Sequence, residues 1–350
     1  MGNLKVHDKL DIQAGGQAEV LDEFGSGGQG TVYKVSYNGK TYALKWYHPG
    51  VFRGKENDFY KNLENNISNG APTDAFLWPK AITKVYNDQF GYLMDVRPSG
   101  YEELTNFFVG GRKQKQVRFK SFYALCTAAI NIIEAFRALH NNGYSYQDIN
   151  NGNFFINPEN GDVLICDNDN VSPFGTNLGI MGKQRWMAPE IVMGKNDPDK
   201  NSDRFSLAVV LFRLLFINHP LEGRYSTPPC MTKEAEQKYY GSAPIFVYDP
   251  STSENRPIPG TDHNLKLFWN VYPDYVKEAF IRAFSHDVMM KQKPRILEKE
   301  WLDTWAVHYQ TGEKIPQEYI TKIHEAANFQ SGYQNDRQLS FGLVDMAWHS

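Results

Sequence analysis

The sequence predicts an α+β fold whose first third is made of strands and whose remainder is helical, the two parts meeting near residues 95–100. Two observations carry this. Residues 31–37 and 40–46 alternate apolar and polar side chains on either side of Asn38-Gly39, a strong signal for a two-residue hairpin. Later in the chain, the runs 124–136 and 205–217 are apolar and helical in pattern. Each is 13 residues long, too short to cross a bilayer, so both are expected to be buried helices.

The elements follow in order. Residues 16–50 read as strands. Residues 51–68 space Phe52, Phe59, Leu63 and Ile67 as an amphipathic helix that stops near Asn69-Gly70. Two short strands are expected at 82–86 and 91–95. After Pro98 the character changes. A long helix is expected over 122–140. Short strands at 154–156 and 163–166 are bridged by a turn at 158–161. Beyond Pro189 the chain reads as helices and loops.

Composition narrows the class. The chain has 350 residues, 41% hydrophobic and 14% aromatic, enough for a large core. Its 37 basic and 40 acidic residues give a net charge of −3, so no basic excess points to nucleic acid. Aromatic residues run along the whole length, against disorder. Cys126, Cys166 and Cys230 are few, odd in number and far apart, which argues against a disulfide framework or a zinc site and for a reducing cytoplasm. The first ten residues hold no apolar signal core, and Val6 stands where a myristoylation signal needs Ser or Thr. A cytoplasmic protein without a membrane partner is expected. The basic run Arg112, Lys113, Lys115, Arg118 and Lys120 reads as a solvated loop and helix start.

Five short segments carry chemistry. Gly25, Gly27 and Gly30 fit G-x-G-x-x-G, followed by Thr31-Val32 rather than the Lys-Ser/Thr of a Walker loop. This loop opens a strand, whereas a dinucleotide-binding loop opens a helix. Ala43-Leu44-Lys45 follows on the next strand. Asp148 and Asn153 lie five residues apart after the long helix, and Asp167-Asn168-Asp169 follows an apolar strand. Met187-Ala188-Pro189-Glu190 precedes the apolar helix headed by Asp203.

In this order and spacing the segments resemble the protein kinase-like superfamily over residues 20–301. The D-N-D form in place of D-F-G, with the G-G-Q-G loop, is similar to a bacterial subgroup of eukaryotic-like Ser/Thr protein kinases. The resemblance implies a two-lobed kinase fold: a small β-rich N-lobe over 1–97, a larger helical C-lobe over 98–301, and a C-terminal helical extension over 302–350. It implies transfer of the γ-phosphoryl group of ATP to Ser/Thr hydroxyls of a protein substrate, with Mg²⁺ or Mn²⁺. Asp148 would be the base, with Lys45, Asn153 and Lys183 as further catalytic residues. Gly25, Gly27, Gly30, Val32, Ala43 and Lys45 would hold the nucleotide. Met94, Asp95 and Val96 would form the gate and hinge at the adenine. Asn153 and Asp167 would bind the metal. The resemblance also calls for a helix glutamate to pair with Lys45, and spacing favours Glu64 over Glu56.

Asp203 would hold the backbone of the catalytic loop, and Arg295 would pair with Glu190. The A-P-E element favours a protein substrate over the small molecules taken by related kinases. A pseudokinase scaffold or nucleotide sensor, or a small-molecule kinase, stays open beside the main reading.

Several positions depart from the family. Tyr146 and Gln147 replace His and Arg, so activity without strict dependence on activation-loop phosphorylation is expected. Asn150 replaces a lysine, and Lys183 is expected to supply its charge from the activation segment. Asn168 removes an apolar plug behind the metal carboxylate. Asp169 is expected to face solvent, with the alternative that it adds a second carboxylate for a divalent ion.

Overall fold

The computed structural model describes residues 4–108, 117–228 and 230–310, with side chains to 305. Arg112, Lys113 and Lys115 of the basic run, and residues 311–350 of the expected extension, lie outside the described residues. The chain divides into two compact units. The first is built from Met1–Ser99 with Leu164–Gly179, the second from Gly100–Val163 with Ile180–Ser350.

The first unit is an antiparallel six-stranded sheet with one long helix. Its strands are β1 (Lys9–Asp11), β2 (Gln17–Ser26), β3 (Gly30–Tyr37), β4 (Lys40–Tyr47), β5 (Ala81–Ile82) and β6 (Gly91–Met94), ordered β1-β2-β3-β4-β6-β5. The hairpin forms at Asn38-Gly39, where both residues take positive φ, 50° and 74°, as a two-residue turn of this kind requires. β1 was not anticipated: three residues are too few for a period to show, yet Leu10 is buried there and Leu4 and Ile12 are buried beside it. The strand expected over 82–86 is only two residues long, with single bridges at Thr83 and Tyr86.

Strand register sorts this sheet into two faces. Val32, Lys45 and Tyr92 lie opposite one another across β3, β4 and β6, and Lys34, Ala43 and Met94 form the next row of that face. The other face carries Tyr33, Val35, Leu44, Trp46 and Leu93 into a core with Leu4, Leu10, Ile12, Ala18 and Val20. Gly30 is fixed by close approach: a Cβ there would sit 2.4 Å from the Trp46 carbonyl oxygen.

α1 (Glu56–Asn69) starts later than residue 51, because Gly50, Arg53 and Gly54 all take positive φ and turn the chain first. It buries Phe59, Asn62, Leu63 and Asn66, one stripe at helical spacing. An aromatic cluster docks it on the sheet. Phe52 lies 4.2 Å from Phe59 and 4.6 Å from Tyr47 between ring centroids, and Tyr47 lies 5.2 Å from Phe90. The segment 164–179 returns to this unit. Phe76 bridges Ile165 in parallel, and a short strand β11 (Ser172–Pro173) follows the turn of 3-10 helix at Asn168–Asn170.

The second unit begins with β7 (Glu102–Glu103) and a helical turn α2 (Thr105–Phe108), then α3 (Phe122–Asn141), β8 (Tyr144–Ser145), β9 (Phe154–Ile156) and β10 (Val163–Ile165), where the chain leaves it. β7 pairs antiparallel with β9. After the chain re-enters come α4 (Pro189–Val192), α5 (Lys200–Phe216), α6 (Lys233–Gln237), α7 (His263–Val271), α8 (Asp274–Ala283), α9 (His286–Met289) and α10 (Glu298–Gln310). α3 is 20 residues long and apolar enough to be compared with a membrane span, but ten of its residues are buried and it packs on α5 and α10. α5 is buried on nearly every side, and Asp199 caps its first turn through Asn201 N and Ser202 N.

A buried ion pair ties α4 to the loop before α10. Arg295 donates to both carboxylate oxygens of Glu190, at 2.8 and 2.7 Å, and also to the Asn201 carbonyl at 2.9 Å. Both side chains are almost fully buried. Removing one partner strands the other charge away from water. Arg295→Met is therefore expected to lower the unfolding free energy in urea by about 3–5 kcal/mol. A loss under about 1 kcal/mol would place the pair among weak surface contacts and contradict this.

Candidate active site

The candidate residues fall in both units. In the first, Lys45 rises from β4 with its amine buried. Burying an ammonium costs several kcal/mol unless opposite charge accompanies it. Here two carboxylates do: Lys45 donates to Asp167 at 3.2 Å and to both oxygens of Asp169 at 3.2 and 3.0 Å. Gln29, within the glycine loop, accepts a further bond from it at 3.1 Å. Burial pushes the Lys45 amine down, and Asp167 and Asp169 more than reverse that, so its pKa is raised. Two carboxylates against one ammonium leave a net negative charge. Asp169 is 1% exposed, whereas the Asp167 side chain is 43% exposed.

Asp167 holds a left-handed backbone, φ 53° and ψ 45°, a conformation Asp tolerates better than most residues. Asn168 is fully buried and donates to the Leu77 and Ile165 carbonyls, so an amide fixes the segment where the family has an apolar plug. Asp169 corrects the expectation of a solvent-facing carboxylate. It accepts from the Tyr47 hydroxyl at 2.6 Å and the Tyr92 hydroxyl at 3.2 Å as well as from Lys45.

Glu64 is the second correction. It does not meet Lys45; its carboxylate accepts from Gln13 Nε2 at 2.5 Å. Glu64 follows Leu63 by one residue, about 100° round the helix, which turns it off the buried stripe. Glu56 is no substitute, since it accepts from the Gly54 amide in the preceding turn. The stripe instead brings the Asn62 and Asn66 amides to the Val171 carbonyl, at 2.8 and 2.9 Å.

The remaining nucleotide candidates also lie in this unit. Gly25 and Gly27 flank the turn between β2 and β3, closed by Gly27 N donating to Gly30 O at 2.9 Å. Val32, Ala43 and Met94 share the Lys45 face of the sheet. Asp95 and Val96 follow β6, and Asp95 pairs at the surface with Lys80.

In the second unit Asp148 sits in a loop held from three directions. Asp203, at the start of α5, accepts from the backbone amides of Tyr146 and Gln147, at 2.7 and 2.9 Å. Tyr146 is fully buried against Phe136. Gln147 takes φ 70°, which turns the chain toward Asp148. Asn150 donates to the Asp148 carbonyl and to its Oδ1, at 3.0 and 3.1 Å, fixing the carboxylate. Asn153 donates from Nδ2 to the Asp148 carbonyl at 2.9 Å. Gly182 passes over this loop with φ 87°, and a Cβ there would lie 3.2 Å from the Gln147 carbonyl. The next residue, Lys183, donates to Asn151 Oδ1 at 3.0 Å, so its ammonium rests on the catalytic loop.

With this geometry in hand, comparison with known proteins decides the family. The protein kinase domain model matches residues 18–256. The chain belongs to that family. Two Dictyostelium discoideum kinases are similar to it. The probable serine/threonine-protein kinase kinX is 26% identical over 56% of this chain and 18% of its own length. The dual specificity protein kinase shkB is 22% identical over 90% of this chain and 47% of its own. An Arabidopsis thaliana mitogen-activated protein kinase kinase kinase 3 is 30% identical over 24% of this chain and 14% of its length. The matched region thus spans less than half of each of these relatives. A peptidase family M3 model matches residues 296–350, whose first part is α10.

The kinase family's catalytic loop has a further support here that the sequence reading missed. His140, near the end of α3, lies between two carboxylates: Nε2 is 3.2 Å from Asp203 and Nδ1 is 2.8 Å from Glu298. Arg204 also donates to Glu298, at 2.9 Å. The signal for such a contact is weak, because Glu298 lies far along the chain from His140. Burial pushes His140 down, but the hydrogen bonds it donates to Asp203 and Glu298, with their negative charge, outweigh it and raise its pKa. Burial would raise the Glu298 carboxyl, but His140 and Arg204 lower it to about 2.

The signs give a pH window. A raised histidine stabilises the fold below the ordinary histidine value of about 6.5, and that contribution fades as pH rises through the folded pKa. The lowered Glu298 stabilises above the ordinary carboxyl range, and its contribution fades only as pH falls through about 2. Urea unfolding of the wild type is therefore expected to show stability falling above about pH 6.5, and His140→Gln to flatten that fall. The same slope in both proteins would show that His140 is not the titrating group.

Proposed function

We propose that this chain is an ATP-dependent protein kinase that transfers the γ-phosphoryl group of ATP to Ser/Thr hydroxyls of a protein substrate, with Asp148 as the base. The observation that carries this is the setting of Asp148, with its carboxylate bonded to Asn150 and its loop hung from Asp203. A fixed carboxylate can accept the proton of an incoming hydroxyl as the oxygen attacks phosphorus. Lys45, carrying a charge that its surroundings enforce, suits the α- and β-phosphates. Asp167 and Asn153 offer hard oxygen atoms, and a divalent cation of the Mg²⁺ type takes few protein ligands beside phosphate. Bound ATP and its metal would supply the transferable phosphoryl group and neutralise charge on its oxygens.

The presence of Lys45, Asp148, Asn153 and Asp167 together favours an enzyme over a pseudokinase scaffold. The Glu190–Arg295 pair behind the A-P-E turn favours a protein substrate over a small molecule. The D-N-D segment and the G-G-Q-G loop support placement in the bacterial eukaryotic-like subgroup, and Cys126, Cys166 and Cys230, which form no disulfide among the described residues, support a reducing cytoplasm. The first lobe is taken as 1–97, the second as 98–301 and the extension as 302–350.

The direct test incubates the protein with γ-labelled ATP, Mg²⁺ or Mn²⁺ and a generic basic protein. Label is expected on Ser or Thr, and Asp148→Ala should lose about a hundredfold or more in rate. Transfer unaffected in the variant would remove Asp148 from its role. Lys183 tests the relocated charge. Its contact with Asn151 puts an ammonium one residue from Asn150, where the family carries lysine. Loss of one transition-state donor costs about 3 kcal/mol, more than a hundredfold. Lys183→Ala within about threefold of the wild-type turnover would end that assignment.

A further inference from the structure

Resting on the kinase reading above, we infer that Asp169, clamped by the Tyr47 and Tyr92 hydroxyls, is the residue that positions Lys45 for the nucleotide phosphates, in place of an acid from α1. The inference starts from what a buried lysine needs. An amine on a strand has free rotation about four bonds, and it points at a phosphate only if something else holds it there. A solvated carboxylate cannot, because it moves with its own side chain. Asp169 is different in each respect. It is 1% exposed, both of its oxygens bond to Lys45, and each oxygen also accepts from a tyrosine hydroxyl.

The tyrosines are themselves fixed. Tyr47 follows Lys45 by two on β4, so both project from one face, and its ring packs on Phe52 and Phe90. Tyr92 is the direct cross-strand partner of Lys45 on β6. Lys45, Tyr47 and Tyr92 therefore form a rigid triangle on a single sheet face, and Asp169 closes it.

The helix gives no competing acid. The acids of α1 are Glu56, Asp58 and Glu64, and none is on its buried stripe. What α1 presents there is Asn62 and Asn66, whose amides both hold the Val171 carbonyl, two residues beyond Asp169. The helix thus acts on Lys45 at one remove: it fixes the backbone that carries the counter-ion. With Asp169 spent on Lys45 and the tyrosines, the metal role stays with the more exposed Asp167.

A double-mutant cycle on the full chain tests this. Asp169→Asn, Lys45→Met and the double variant are compared with wild type by turnover and by calorimetric affinity for Mg-ADP. Asp169→Asn is expected to lower turnover about a hundredfold and weaken Mg-ADP binding about tenfold, yet to add less than about threefold to either loss once Lys45 is Met. Glu56→Gln and Glu64→Gln are expected to stay within about threefold of wild type. Asp169→Asn behaving as wild type overturns the inference, as does its full effect persisting without Lys45, or a hundredfold loss from either glutamate. If Asp169→Asn does not fold, Tyr47→Phe takes its place. It should weaken both readouts severalfold with Lys45 present and neither without it, and no effect in either background overturns the inference. A wild type that binds Mg-ADP but transfers no phosphoryl group would end the proposed function alone, and the cycle is then read on affinity. A wild type that binds no nucleotide would end both.

Discussion

Everything in the first unit is arranged around one costly choice, the burial of the Lys45 ammonium. A charge of that kind away from water is tolerated only with opposite charge in contact and with the remaining lone pairs of that charge satisfied. The segment that returns to this unit meets the first demand with Asp167 and Asp169, and the sheet meets the second with Tyr47 and Tyr92. Those hydroxyls are held by an aromatic cluster that also docks α1. Packing and electrostatics are therefore coupled here: the rings that seat the helix also orient the donors that fix the counter-ion.

The second unit solves a different problem with a similar device. A catalytic loop has irregular backbone whose amides need partners, and a loose loop cannot hold a carboxylate steady. Asp203 provides two acceptor oxygens from the first turn of a buried helix, and the Tyr146 and Gln147 amides bond to them. His140 and Glu298 extend this support to α3 and α10. A side chain on one long helix thus sets the position of Asp148 without touching it. Glu190 and Arg295 anchor the end of the activation segment on the same scaffold.

Much of this was legible in the sequence because it depends on local rules. Asn38-Gly39 admits one kind of turn, and a glycine loop that opens a strand admits few nucleotide motifs. Asp148, Asn153 and Asp203 keep family spacing, and their loop is held as that spacing implies. The partner of Lys45 was not legible in the same way. Spacing placed Glu64 on the right helix but ignored its phase, although Phe59, Leu63 and the intervening asparagines already marked the buried stripe. Asp169 was expected to face solvent, since a run of Asn and Asp is usually a turn and nothing local marks one carboxylate for burial. Only the strand register, which sets Tyr92 opposite Lys45 and Tyr47 beside it, shows why a carboxylate is needed there. The late start of α1 had its own cue in Gly50 and Gly54, which turn the chain before the helix can begin.

A crystal structure of the full chain with Mg²⁺ and a non-hydrolysable ATP analogue addresses the central claim most directly. The account predicts Lys45 within hydrogen-bond distance of both Asp169 and the nucleotide phosphates, Tyr47 and Tyr92 still on Asp169, and Glu56 and Glu64 turned to solvent. A structure in which Lys45 leaves Asp169 for a carboxylate of α1 would contradict it.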